Sequence, residues 1–336
     1  MTSDIESYSR HQIEKRGVYT LANDVVIEWF EAFIRSFRKT NPTLPLTVIP
    51  YDQNISRLQS LQKKFHFDLM DASICSRYNA LADKVKVSKK EAGCFRKFAC
   101  FFGKYSEFLY LDADIVTLVP LDRLFDAFSN SSSQFGYFDT AMDMCYTESL
   151  AAEMVSEYGS PAYNSGIFFS RYGAITEAEV FAAAEKAAGV CDRFVACLEQ
   201  PFINYVTDIA RLRYANFSEL APEFAPVVWA RQPFTYDGKT DMARNADGKM
   251  MPFVHWPGCA YPTMVRPEIF LRHRTSDFSF IARIGYDLAF YFRRYQVYSL
   301  RAKADWGKVI VKFFTSSAWR KFYLCKLIGT KIELPK

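Results

Sequence analysis

The chain has 336 residues, half of them apolar and 17% aromatic, which excludes a disordered protein and allows one large or two ordinary domains with a real core. Its net charge of +5 is uneven: Arg293 to Lys336 holds 11 Lys and Arg against Asp305 and Glu333, leaving −4 for the other 292 residues. No apolar run approaches the ~18 residues of a membrane span, and the N-terminus lacks a signal-peptide pattern. The eight scattered cysteines form no CxxC pair, so reduced thiols in a cytoplasmic protein are expected.

Along the chain, "GVYTLAND" (Gly17–Asp24) reads as a buried strand, and "VVIEWFEAFIRSFRKT" as a helix with Val26, Phe30, Phe33 and Phe37 on one face. "LPLTVIPYD" (Leu44–Asp52) is a second strand, and "KKEAGCFRKFACFFGKYS" a helix bearing Arg96 and Lys97. Further strands are expected at Gln134–Asp139 and Asn164–Ser170, with helices around 147–158 and 176–189. Strands alternating with helices predict an α/β protein with a mainly parallel sheet flanked by helices. After about residue 265 the pattern turns helical and basic, with Ile281, Ile284, Leu288, Phe292 and Tyr295 on one stripe.

Between the helix and the third strand lies "FLYLDADIVTL" (Phe108–Leu118). Desolvating two unpaired carboxylates is costly, so acids set against an apolar strand need a partner. Alternation puts Asp112 and Asp114 on one side of the chain, at a strand's C-terminal end where α/β sheets bind ligands. Such a pair suits a hard divalent cation that also takes phosphate oxygens, or it simply caps a turn.

"LYLDAD" with its apolar flanks resembles the DxD of GT-A-fold nucleotide-sugar glycosyltransferases, in particular the retaining enzymes of glycosyltransferase family 8. "FRKFACFFGKYSEFLYLDAD", "YNSGIFFS", "LEQPFIN" and "HWPGCAYP" resemble further family elements in the same order, spanning residues 17–265. The resemblance implies a GT-A catalytic domain at 17–265, preceded by a lead at 1–16, while the change of pattern after residue 265 marks 266–336 as a helical, basic C-terminal extension. It implies a metal held by Asp112, Asp114 and His255, with Mn²⁺ (or Mg²⁺) suited to that ligand set. It further implies donor contacts at Ala22, Asn23, Arg96 or Lys97, Asn164 and Gly258. Gln200 falls beside the anomeric carbon, and Asp139 contacts the acceptor or is an ordinary strand-end acid. The chain departs from the family at Tyr261 (usually lysine), Thr263 (tryptophan), Glu199 and Pro201 (both aspartate) and Asn23 (aspartate).

The function implied is transfer of a hexose from a UDP-sugar to a glycan or lipid-linked acceptor with retention. Gln200 is a poor nucleophile, which favours a front-face ion-pair route. Two alternatives stay open: a haloacid-dehalogenase-like phosphohydrolase, which "DADIV" also fits, and a sugar-nucleotide-binding protein without turnover. The basic, aromatic segment 293–336 suits an anionic membrane surface, a packing or dimer domain, or least of all a nucleic acid.

Overall fold

A computed structural model describes residues 14–89, 91–195 and 199–302. The chain forms two compact units, one running up to Gly258 and including Val265–Ser276, the other made of Cys259–Met264 and the stretch from Asp277 onward. In chain order the first unit contains β1 (Glu14–Ala22), α1 (Ile27–Thr40), β2 (Leu46–Pro50), α2 (Ser56–Phe65), β3 (Asp68–Leu69), α3 (Ala72–Ser76), α4 (Asn79–Lys84), β4 (Tyr105–Leu111) and β5 (Ile115–Thr117). It continues with α5 (Asp122–Ser129), β6 (Phe135–Tyr137), α6 (Met142–Cys145), α7 (Glu148–Tyr158), β7 (Ile167–Arg171), α8 (Glu177–Ala187) and α9 (Glu199–Ile209). Then come β8 (Tyr214–Asn216), α10 (Phe217–Leu220), β9 (Phe234–Asp237), β10 (Met242–Asn245), β11 (Phe253–His255) and α11 (Pro267–Arg274). The second unit carries α12 (Phe280–Ala302).

Seven strands form one sheet in the order β3-β2-β1-β4-β7-β6-β8, and only β7 runs against the rest. This is the mainly parallel α/β architecture that the strand–helix alternation predicts. Every residue of β2 is buried, and so is most of β4, as a sheet covered on both faces requires. The rings of Phe101, Tyr110 and Phe135 stack against Phe168 of β7 at centroid distances of 5.8, 5.1 and 5.1 Å. Aromatic contacts of this kind add to area burial and fix the sheet's centre. On α1, Phe30, Phe33 and Phe37 are fully buried, as their spacing predicts.

Two segments differ from the sequence expectation. The stretch expected to be an ordinary helix from Lys89 forms a 3₁₀ helix from Ala92 to Phe102. Phenylalanine recurs at 95, 98 and 101, a repeat of three that a three-residue turn stacks on one side, and all three rings are buried. Helix α12 does form, but its expected stripe is not its buried side: Ile281 is 82% exposed, Phe292 55% and Leu288 42%. The buried face carries Phe290, whose ring meets Tyr261 at 5.5 Å, and Arg294, which donates to the carbonyls of Pro262 and Met264. Apolar residues surround α12 on nearly every side, so spacing alone did not select the packed one.

The six cysteines among the described residues are free thiols. No helix among the described residues is long and apolar enough to cross a membrane.

Candidate metal centre

Strand β4 ends at Leu111, and Asp112 and Asp114 stand on the turn that follows rather than on the strand. Their convergence comes from this turn, not from strand alternation as the sequence suggests. The Asp112 N–H donates to the Gly166 carbonyl at 2.8 Å, fixing the turn against the segment before β7. Strand β5 then pairs antiparallel with β11, opposing Ile115 to His255, and the Trp256 N–H donates to the Asp114 carbonyl at 3.1 Å. This ribbon carries the distant imidazole to the acids: His255 Nε2 lies 3.3 Å from Asp114 Oδ1 and 3.9 Å from Asp112 Oδ2. One ligand atom from each of the three residues falls within 4.8 Å of the others.

The surroundings fit a cation. His255 is 1% exposed, yet neither ring nitrogen has a hydrogen-bond partner in the fold, an orphaned state that ligation would relieve. Burial pushes the imidazole toward its neutral form, but Asp114, Asp112 and Asp139 outweigh burial and raise its pKa above the ordinary value. Gly166 keeps the cradle open: a Cβ there would lie 2.6 Å from His255 Cε1 and 2.7 Å from Asp112 Oδ2. Two carboxylates and an imidazole match Mn²⁺ or Mg²⁺ by ligand chemistry.

Other predicted residues gather beside this cluster. Asn164 Oδ1 accepts the Gly166 N–H at 2.8 Å, and the Asn164 N–H donates to the Asp139 carbonyl at 3.1 Å. Burial lifts the Asp139 carboxyl to about 6, although His255 pulls it back down. Gln200, at the start of α9, accepts the Ser165 N–H at 3.2 Å and leaves its buried Nε2 without a partner in the fold. Lys97 reaches the cluster, 3.4 Å from Asp112 Oδ1. The neighbouring cation does not: Arg96 donates to Asn79 Oδ1 and the Pro50 carbonyl, each at 3.0 Å, propping the end of β2. Asn23 caps the turn before α1 through the N–H groups of Val25 and Val26 and donates to Asp52. Ala22 pairs with Pro50 at the same sheet edge. Gly258 holds a left-handed φ of 65° with open space around its Cα.

Sequence reasoning missed three contributors: Gly166, Tyr110 and Asn204. The first two reveal themselves only through distances. Asn204 is fully buried and clamps Tyr163, accepting its N–H at 2.8 Å and donating to its carbonyl at 2.9 Å, which holds the Asn164–Gly166 segment against α9. Further along α9, burial raises the Asp208 carboxyl to about 6 despite hydroxyl donors from Tyr214 at 2.5 Å and Tyr146 at 3.2 Å. A carboxyl raised by folding stabilises the protein below the ordinary range, and that contribution is lost as pH rises through 6. Between pH 5 and 7.5, wild type is therefore expected to lose about 1.5 kcal/mol more unfolding free energy than Asp208→Asn. Urea unfolding at both pH values measures this, and equal losses would refute it.

The comparisons agree with this architecture. Residues 15–168 match a family model described as "Mannosyltransferase putative", a span containing both aspartates and Asn164. A comparison with curated proteins finds no match. Among solved structures, the bifunctional glycosyltransferase WbbM aligns over 81% of this chain with a TM-score of 0.50 and 13% identity, a likeness of fold. This chain spans 51% of that protein's length. The galactosyltransferase LgtC, solved with donor and acceptor sugar analogues, aligns over 78% of this chain and 96% of its own at 12% identity and TM-score 0.47. Mouse xyloside xylosyltransferase 1 aligns over 60% and 84% at 11% identity and TM-score 0.46. A mannosyltransferase family model matched through the DxD strand and a sheet architecture shared with WbbM give the chain the fold of the GT-A glycosyltransferases.

Proposed function

We propose that the chain transfers a hexose from a nucleotide diphosphate sugar to a glycan or lipid-linked acceptor, with retention, using a divalent cation at Asp112, Asp114 and His255. The convergence of these three side chains at the end of β4 carries the reading. Mn²⁺ is proposed as the ion, with Mg²⁺ the alternative. When bound, it supplies positive charge against the departing diphosphate. The resemblance to family 8 supports UDP as the nucleotide; the description of the matched family favours mannose as the sugar.

The chain's own groups support the rest. Ala22, Asn23 and Arg96 shape the sheet edge proposed for the base and ribose, and Asn164 and Gly258 flank the sugar and diphosphate. Gln200 has its oxygen engaged with Ser165 and its buried Nε2 without a partner in the fold, which supports its amide N–H groups as donors to the reacting centre. A side chain without a carboxylate there supports departure and attack on the same sugar face rather than a covalent intermediate. Asp139, buried beside Asn164, is proposed at the acceptor side.

The test is a screen of UDP-glucose, UDP-galactose and GDP-mannose for Mn²⁺-dependent hydrolysis and thermal stabilisation. A response to GDP-mannose alone would remove UDP and keep the transferase. Silence toward every sugar nucleotide, with and without candidate acceptors, would favour a binding protein without turnover.

The extension proposed at 266–336 serves as a peripheral contact with anionic lipid. The exposed Phe280, Ile281, Leu288 and Phe292 on α12, with Arg283 and Arg293 on the same helix, support it; residues 303–336, which hold most of the basic segment, lie outside the described residues. Co-sedimentation with phosphatidylserine vesicles is expected at low salt and should fall several-fold at 0.5 M salt. Equal recovery with neutral vesicles would exclude it.

A further inference from the structure

Lys97 is 2% exposed, and its ammonium stands between two carboxylates: Glu199 Oε1 at 2.6 Å and Asp112 Oδ1 at 3.4 Å. Besides its bond to Glu199, the ammonium donates to the Ser165 carbonyl at 3.1 Å and to Ser165 Oγ at 3.5 Å, and the charge sits 4.7 Å from the centroid of the Tyr110 ring. An ammonium offers three protons, and Glu199 Oε1, the Ser165 carbonyl and the Ser165 hydroxyl take them, leaving none for a phosphate. Tyr110 donates its hydroxyl to the same Asp112 Oδ1 at 2.9 Å. One oxygen of Asp112 is thus engaged inside the fold, while Oδ2 faces His255 and Gly166.

We infer that Lys97 is a counter-ion built into the metal centre rather than a contact to the donor, and that with Tyr110 it fixes which Asp112 oxygen meets the cation. The inference rests on the metal reading of the Asp112–Asp114–His255 cluster. The carboxylates around the site (Asp112, Asp114, Asp139 and Glu199) outnumber the one ammonium, an excess of negative charge that a divalent ion offsets. A fixed positive charge this close also opposes the incoming cation, so Lys97 holds metal affinity below what the acids alone would give. Through Glu199 it ties the turn after β4 to the start of α9, where Gln200 sits.

The experiment is calorimetric titration of the full chain with MnCl₂ in the absence of nucleotide, followed by UDP at saturating Mn²⁺. Lys97→Met is expected to bind Mn²⁺ about tenfold more tightly than wild type while melting at a lower temperature without metal. UDP affinity is expected to stay within about threefold. Tyr110→Phe is expected to bind Mn²⁺ several-fold more weakly, because the Asp112 carboxylate is then free to turn. A merely structural lesion would weaken both variants, so the opposite signs are diagnostic. The charge-balanced pair Lys97→Met with Glu199→Gln keeps the question answerable should the single variant fail to fold, and is expected within about threefold of wild type. Failure of wild type to take up Mn²⁺, or uptake undiminished by Asp114→Ala, would remove the metal reading itself. Normal uptake by wild type, with Lys97→Met unchanged or weaker for Mn²⁺ and impaired for UDP, would overturn the counter-ion alone.

Discussion

Asp114→Ala is expected to lower Mn²⁺-dependent release of nucleotide from the sugar donor by about 10³-fold. Its Oδ1 is the carboxylate oxygen nearest the imidazole, at 3.3 Å, and the Trp256 N–H that steadies the turn bonds the Asp114 backbone, which alanine retains. The fold should therefore survive. Removing one of two acids from a cluster without its ion relieves repulsion, so the variant should melt no lower than wild type under chelator. The separating measurement is stabilisation by metal: at about 100 times the dissociation constant wild type gains about 2.7 kcal/mol, and the variant should gain almost nothing. A variant that still rose in melting temperature with Mn²⁺, or still hydrolysed the donor, would place the cation elsewhere.

Gly166→Ala is expected to cost at least tenfold in Mn²⁺ affinity and about 10²-fold in turnover with little change in stability. Its φ is not in the left-handed region, so alanine meets no backbone strain. The added methyl instead reaches 2.6 Å from His255 Cε1 and 2.7 Å from Asp112 Oδ2, distances that real Cβ contacts do not adopt. Neither neighbour yields easily: Asp112 Oδ1 is held by Tyr110, and His255 sits on β11, paired with β5. The ligands must separate. Gly258→Ala is a useful contrast, since that position has open space and a left-handed backbone, giving a stability cost of about 1 kcal/mol without crowding the cluster. Wild-type metal affinity in Gly166→Ala would show that the cradle does not need this emptiness.

Much of this was legible in the residues. The apolar run 108–111 marked β4, and an acid pair after such a run marked the ligand edge of the sheet. His255 was legible only through the resemblance, because β5 and β11 have three residues each and so little carry no periodic signal. The role of Gly166 is a matter of space, which composition does not encode. Between Arg96 and Lys97 the sequence could not choose, since adjacent cations differ in direction only through the backbone's winding. The packed side of α12 was misread because a helix apolar all round has no preferred face until a neighbour, here the loop with Tyr261, is in place.

That winding has a larger effect than the choice between two cations. A three-residue turn advances about 120° per residue and an ordinary helix about 100°, so five steps beyond Ala92 the two differ by roughly 100°, one whole residue's bearing. Were the stretch to rewind from the same origin, Phe98 would take the direction Lys97 now has, and a benzene ring would confront the acids in place of a charge. A run of phenylalanines spaced by threes thereby acts as an indexing pin for the acid cluster, and a repeat buried in the core decides that a charge meets Asp112 and Glu199.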